Sequence, residues 1–113
     1  MCGVVGAIND TRELVITGML KRIKTRGADD DGFKLVDDVS IGNVRLSIID
    51  VAGGRQPMSN SENRQWLVYN GEIYGYKEMR EQLRKEGYPF KTTSDTEVIL
   101  ALYGKYGLEA LSY

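Results

Sequence analysis

Cysteine occurs once in this chain, at position 2, and histidine does not occur at all. A Cys–His or Ser–His–Asp arrangement is therefore impossible, and a nucleophilic thiol must find its base elsewhere. Small side chains in second position generally permit removal of the initiator methionine, and Cys2 would then carry a thiol and a free α-amine together. An α-amine has an ordinary pKa of about 7.7–8.0, so near neutrality part of the population is available as a base. It can relay the thiol's proton as the amine of an N-terminal threonine nucleophile does. If Met1 is retained, that amine is locked in a peptide bond and the base is gone. The plainer reading is that Cys2 is a small inert hydrophobe. Cys2-Gly3-Val4-Val5-Gly6-Ala7-Ile8-Asn9 is a short apolar run with glycines, which suits a buried strand. A strand that delivers its thiol into a core satisfies both readings.

Three polar groupings stand out against apolar surroundings. Arg45 lies within Val44-Arg45-Leu46-Ser47-Ile48-Ile49. From a strand it can hold a carboxylate bidentately, or simply face outward from a half-exposed sheet. Asn70-Gly71-Glu72 follows an aromatic, β-branched stretch. Asn-Gly is a strong hairpin-turn signal; equally, the Gly71 N–H and the Asn70 amide can serve as two donors for an oxyanion. Asp95 falls in the first turn of a capped helix, where an acid complements the helix dipole or recognises a substrate ammonium.

The elements that must position these groups follow from periodicity. Residues 13–25 read as an amphipathic helix carrying Leu14, Val15, Met19, Leu20 and Ile23, with Lys21, Arg22 and Lys24 in its last turn and Gly27 closing it. Asp29-Asp30-Asp31-Gly32 reads as a solvated turn, lacking the alternating ligands and distal glutamate of a calcium loop. Strands are expected over Phe33–Val36, Ser40–Ile49 and Gln65–Tyr69, with a loop at Gly53-Gly54 and Pro57. Tyr76, Met79 and Leu83 mark a second helix ended by Gly87. Ser94-Asp95-Thr96-Glu97 is a capping-box signature, and the helix it opens presents Ile99, Leu102 and Tyr106 and stops at Gly107.

The chain has 113 residues and a net charge of −1, so one domain at most is expected and no long-range field draws it to nucleic acid or an acidic membrane. A single cysteine makes no internal disulfide and fits a reducing cytoplasm. No membrane span or signal peptide is expected, and one cysteine with no histidine is a poor ligand set for zinc. No metal site is expected.

Six blocks then occur in a telling order: Cys2-Gly3-Val4-Val5-Gly6, Arg26-Gly27-Ala28-Asp29-Asp30, Arg45-Leu46-Ser47-Ile48-Ile49-Asp50, Gly53-Gly54-Arg55-Gln56-Pro57-Met58, Tyr69-Asn70-Gly71-Glu72-Ile73-Tyr74 and Ser94-Asp95-Thr96-Glu97-Val98-Ile99-Leu100. This order resembles the class II, N-terminal-nucleophile glutamine amidotransferases, and most nearly the glutaminase domain of glutamine-hydrolysing asparagine synthetases. The Arg-Leu-Ser-Ile-Ile-Asp and Tyr-Asn-Gly-Glu-Ile-Tyr wording favours that branch over glucosamine-phosphate synthases and phosphoribosyl-pyrophosphate amidotransferases. Ala28 stands where the family usually has proline, Asn43 where histidine is common and Gly75 where asparagine is usual.

The resemblance implies an α+β fold, the N-terminal-nucleophile hydrolase αββα sandwich, with antiparallel sheets between helical layers and residues 1–113 forming its N-terminal portion, incomplete at the C-terminal end. It implies that Cys2 attacks the side-chain amide of glutamine and that its α-amine handles the protons. Asn70 and Gly71 would stabilise the oxyanion, Arg45 would bind the α-carboxylate, and Asp95 with Glu72 the α-ammonium. A glutamyl thioester would form, ammonia would leave for amide synthesis, and water would release glutamate. No cofactor is expected in this segment; ATP and Mg belong to a synthetase domain absent from it. The implied partners are glutamine and a synthetase domain or subunit in trans, with self-association through an incomplete sandwich. A truncated, non-catalytic remnant that binds without turnover is the alternative function, and a thiol hydrolase for some other amide a third.

Overall fold

The computed structural model of the protein describes residues 2–46 and 52–113. Met1 and residues 47–51, which include the end of the strand expected over Ser40–Ile49, lie outside the described residues. The chain divides into two compact units.

The first unit comprises residues 2–46 with Arg55–Pro57 and Val68–Gly71. Its sheet has three antiparallel strands in the order β1-β3-β2: β1 (Gly3–Ile8), β2 (Asp30–Val36) and β3 (Val39–Arg45). β2 and β3 are joined by Asp37-Asp38, with Val36 opposite Val39. Asp37 takes φ 51°, the left-handed conformation that a tight hairpin needs and that aspartate tolerates. Helix α1 (Glu13–Ile23) runs on into a short 3-10 turn, Lys24–Arg26. It lies on the face of β3 that carries Ser40, Gly42 and Val44. A Cβ added at Gly42 would sit 3.2 Å from Leu20, and one added at Gly3 would sit 3.0 Å from Ile23.

The stripe of α1 that is buried is Ile16 and Leu20, whereas Leu14, expected on that face, is 84% exposed. Several apolar positions compete along this helix, and only the sheet beneath it selects among them. Gly27 ends the turn with an extended backbone (φ −155°), so positive φ is not its role. It is there because the chain presses on β3: a Cβ would lie 2.6 Å from the Arg45 backbone nitrogen. Of the acidic turn expected at Asp29–Gly32, only Asp29 stays outside the strands; Asp30–Gly32 is the start of β2, with Asp30 opposite Arg45 and Asp31 opposite Val44. The ladder of β3 recruits those residues against their own turn preference.

The second unit comprises residues 52–54, Met58–Leu67 and Glu72–Tyr113 in its described part. It contains a two-residue ladder, β4 (Met58–Ser59) with β5 (Trp66–Leu67), and the helices α2 (Tyr76–Lys85) and α3 (Asp95–Tyr106). The strand expected over Gln65–Tyr69 is thus far shorter. Leu83, Val98 and Ala101 form the core, with Tyr76, Met79, Tyr88, Phe90 and Leu102 around them. The Ile99, Leu102 and Tyr106 face expected inside is only partly buried, and the centre is Val98 and Ala101. Six successive apolar residues, Val98–Tyr103, leave the helix no single stripe to read. Gly87 ends α2 as expected: Tyr88 N–H donates to Leu83 and Gly87 N–H to Arg84, a Schellman pair made at φ 100°. A 3-10 segment, Gly107–Ser112, follows α3.

The capping box forms only in half. Ser94 caps α3 by accepting from Thr96 N–H at 3.1 Å. Glu97 does not reach back to Ser94. Its carboxylate accepts from Lys91 N–H (2.9 Å), Thr92 N–H (2.7 Å) and the Thr92 hydroxyl (2.6 Å), while Ser94 N–H donates to Thr92 Oγ1. The buried acid ties down the entry loop and leaves the helix's own first donors to Ser94. Among the described residues no helix is long and apolar enough to cross a membrane.

Candidate active site

β1 ends its pairing at Gly3 opposite Val44, and one further step of the same register sets Cys2 opposite Arg45. On the other side of Arg45, β2 contributes Asp30. Side chains alternate along a strand, so Cys2, Arg45, Asn43 and Asp30 belong to the sheet face turned away from α1. Arg45 is only 5% exposed, which excludes the outward-facing reading of that residue. Cys2 is half-buried. Leu46 N–H donates to Cys2 Sγ at 3.4 Å, the thiol donates in turn toward Leu46 carbonyl at 3.6 Å, and Arg26 Nε donates to the Cys2 carbonyl at 3.2 Å. The sulfur therefore has a backbone donor aimed at it, the partner that a thiolate accepts, and the residue is held at both its backbone and its side chain.

Asn70 and Gly71 belong to the same unit and are exposed. Neither lies in a strand, and β5 ends earlier, so the hairpin-turn reading of Asn-Gly does not describe them. Glu72 and Asp95 belong to the second unit. Glu72 is exposed, whereas Asp95 is 5% exposed and its Oδ2 accepts from Ile73 N–H at 3.3 Å. The structure thus gathers Cys2, Arg45, Asn70 and Gly71 in one unit and links Asp95 to the backbone next to Glu72 in the other.

Two further residues on the Arg45 side of the sheet escaped sequence reasoning as participants. Asn43 is 1% exposed, and its Oδ1 has no hydrogen-bond partner among the described residues. A buried amide oxygen left unpaired costs about 1–3 kcal/mol. Gln56 accepts from Tyr69 N–H through Oε1 at 2.6 Å, one residue before Asn70. The Gln-Pro pair carried a loop signal and a place in one of the six ordered blocks, and nothing local could have pointed to this contact. Arg55 lies 3.7 Å from Asp30, adding a second cation to that strand end. No group of three potential metal-ligating side chains occurs among the described residues.

Residues 1–113 match the glutamine amidotransferase domain family, the whole length of the chain. The chain belongs to that family. It is similar to asparagine synthetase [glutamine-hydrolyzing] 1 of Bacillus subtilis, with 46% identity across 99% of this chain and 19% of the relative. It is 36% identical to the putative asparagine synthetase [glutamine-hydrolyzing] 2 of Methanocaldococcus jannaschii over 98% of this chain and 25% of that protein. A root asparagine synthetase of Pisum sativum is 33% identical over 95% and 19%. The chain spans between 15% and 25% of the length of such relatives. The amidotransferase chain is a small mixed helix-and-sheet structure, consistent with an α+β fold.

Proposed function

We propose that this domain hydrolyses the side-chain amide of glutamine through Cys2 and supplies the ammonia for an asparagine synthetase-like amidation. The observation that carries the reading is the setting of Cys2: a thiol at the first strand of the sheet, with a backbone N–H on its sulfur, next in register to a buried arginine. With Met1 removed, the α-amine of Cys2 accepts the thiol proton as Sγ attacks the amide carbon. Asn70 and Gly71 donate to the oxyanion, Arg45 pairs with the α-carboxylate, and Asp95 with Glu72 pairs with the α-ammonium. The tetrahedral adduct collapses as the C–N bond breaks and the amine returns its proton to the departing ammonia. A water then adds to the thioester, the C–S bond breaks, and glutamate leaves with the thiol restored. Every proton in this cycle passes through one amine, which suits a chain without histidine.

The same reading assigns residues 1–113 to the N-terminal portion of an αββα sandwich in the cytoplasm. It assigns the ATP and Mg of the amidation to a separate synthetase portion. A synthetase partner or self-association finds support in β1, which among the described residues is an edge strand and exposes Val4 and Ile8.

The test is the intact mass of the purified protein before and after reaction with diazo-oxo-norleucine, a glutamine-like electrophile. A species lacking Met1 that gains one adduct, with no gain in Cys2→Ala, is expected. A species that keeps Met1, or a processed chain that gains nothing, would overturn the catalytic reading and favour binding without turnover.

A further inference from the structure

The donors proposed for the oxyanion sit on backbone that no sheet ladder holds. Val68–Gly71 lies beyond β5 and pairs with no strand among the described residues. Oxyanion donors act only when fixed within about 0.5 Å and 10–20° of the productive geometry, so something other than a strand must fix them. The side-chain oxygen of Gln56 accepts from Tyr69 N–H at 2.6 Å across a sequence separation of 13. Only an oxygen can accept there, so the amide's orientation follows from the contact. Gln56 is itself seated on β2: a Cβ at Gly32 would lie 2.4 Å from the Gln56 carbonyl oxygen and 3.3 Å from Pro57 Cδ. At the other end, the Tyr69 ring folds over Gly71, where an added Cβ would lie 2.5 Å from the phenol oxygen. A continuous path therefore runs from β2 through Gln56 to Tyr69 and on to Gly71, all within one unit.

We propose that Gln56 is a positioning residue for the Asn70–Gly71 donors, with Tyr69 as the piece it holds. The proposal rests on the glutaminase reading. Losing the Gln56 acceptor removes this tie between Tyr69 and β2 and lets the donor turn drift, which weakens the bound oxyanion more than it weakens bound glutamine. A misplacement near 1 Å can cost on the order of 10²-fold in rate.

The experiment compares steady-state glutamine hydrolysis by the wild type, Gln56→Leu, Gln56→Asn and Gln56→Glu, with thermal midpoints alongside. Gln56→Leu has no acceptor and Gln56→Asn is one methylene short, so each is expected to lose kcat on the order of 10²-fold, with KM for glutamine changed by less than about threefold. Gln56→Glu keeps an oxygen in reach of Tyr69 N–H and is expected to recover to within about fivefold of wild type. If Gln56→Leu does not fold, Gln56→Asn carries the measurement with a polar side chain of the same type. A wild type that hydrolyses glutamine while Gln56→Asn matches it in kcat overturns the proposal. So does a Gln56→Glu that is no better than Gln56→Leu, or a loss confined to KM. A wild type without glutaminase activity refutes the underlying reading instead.

Discussion

Gly27→Ala should destabilise the protein while Gly18→Ala stabilises it, though the chemical change is the same. Gly27 has an extended φ of −155° that alanine adopts freely, so conformation contributes no penalty. Its neighbours do. An added Cβ would lie 2.6 Å from Arg45 N, 2.7 Å from Arg45 C and 2.7 Å from Val44 C, against the 3.4 Å at which ordinary contact begins. The strand must retreat by about 0.8 Å, and backbone in the middle of a three-stranded sheet has no rotamer by which to yield. Overpacking of this kind costs about 1–3 kcal/mol, and the upper part of that range applies when the obstacle is main chain. Against it stands a gain of about 0.4–1 kcal/mol from a less flexible unfolded chain. The net loss is about 2 kcal/mol. At roughly 4 °C or more per kcal/mol, the thermal midpoint should fall by about 8 °C, and the urea midpoint by on the order of 1 M. At Gly18, inside α1, nothing lies within 4 Å of the added methyl, so only helix propensity changes. Stability should rise by about 0.5–1 kcal/mol. Equilibrium urea unfolding of both variants measures the pair. A Gly27→Ala protein as stable as wild type would refute the idea that Gly27 is dictated by the close approach of β3.

Removing one acceptor from Glu97 should cost nearly as much. In Glu97→Gln one oxygen still serves Lys91, but the new amide NH2 opposes Thr92 N–H, and a loss of about 2 kcal/mol is expected for that charged hydrogen bond. Thr92→Val deletes both the donor to Glu97 and the acceptor for Ser94 N–H, and about 1–2 kcal/mol should go. Urea midpoints within experimental scatter of wild type for both would show that the entry loop is held by something else. Asp10 offers a pH signature: the Arg12 guanidinium and backbone N–H hold its carboxyl at about 2, below the ordinary 3.8. Because the folded value is depressed, the pair's contribution is present above about 3.8 and is lost as pH falls through about 2. An NMR titration should find Asp10 ionising near 2, and Arg12→Ala should return it to the ordinary carboxylate range.

Features written in neighbouring residues were legible without coordinates. The apolar run after Cys2 forms β1, Gly87 closes α2 by a Schellman pair, and Ser94 caps α3. Each depends on hydrogen bonds or sterics spanning only a few residues, so the chain carries its own instructions there. The register that sets Cys2 across from Arg45 could not be read, because strand pairing is a choice between distant segments, as in the Cys2–Leu46 contact across a separation of 44 residues. The buried face of α1 was misjudged for the same reason: Leu14 and Ile16 are equally apolar, and only the sheet selects Ile16.

By itself, then, the sequence determined which groups are on hand for covalent chemistry: one thiol, no imidazole, and an amine that becomes a base only at a free N-terminus. It also determined the family, through ordered blocks that span the chain. Tertiary structure alone decided that Arg45 and Asp95 are buried, that Asp30 and Asp31 extend a strand, and that Glu97 serves the loop before its helix. It alone brought Gln56 to Tyr69. The physical reason is common to all four. A residue's chemistry is local, but desolvation, ladder pairing and the satisfaction of buried donors depend on which distant backbone the fold sets beside it.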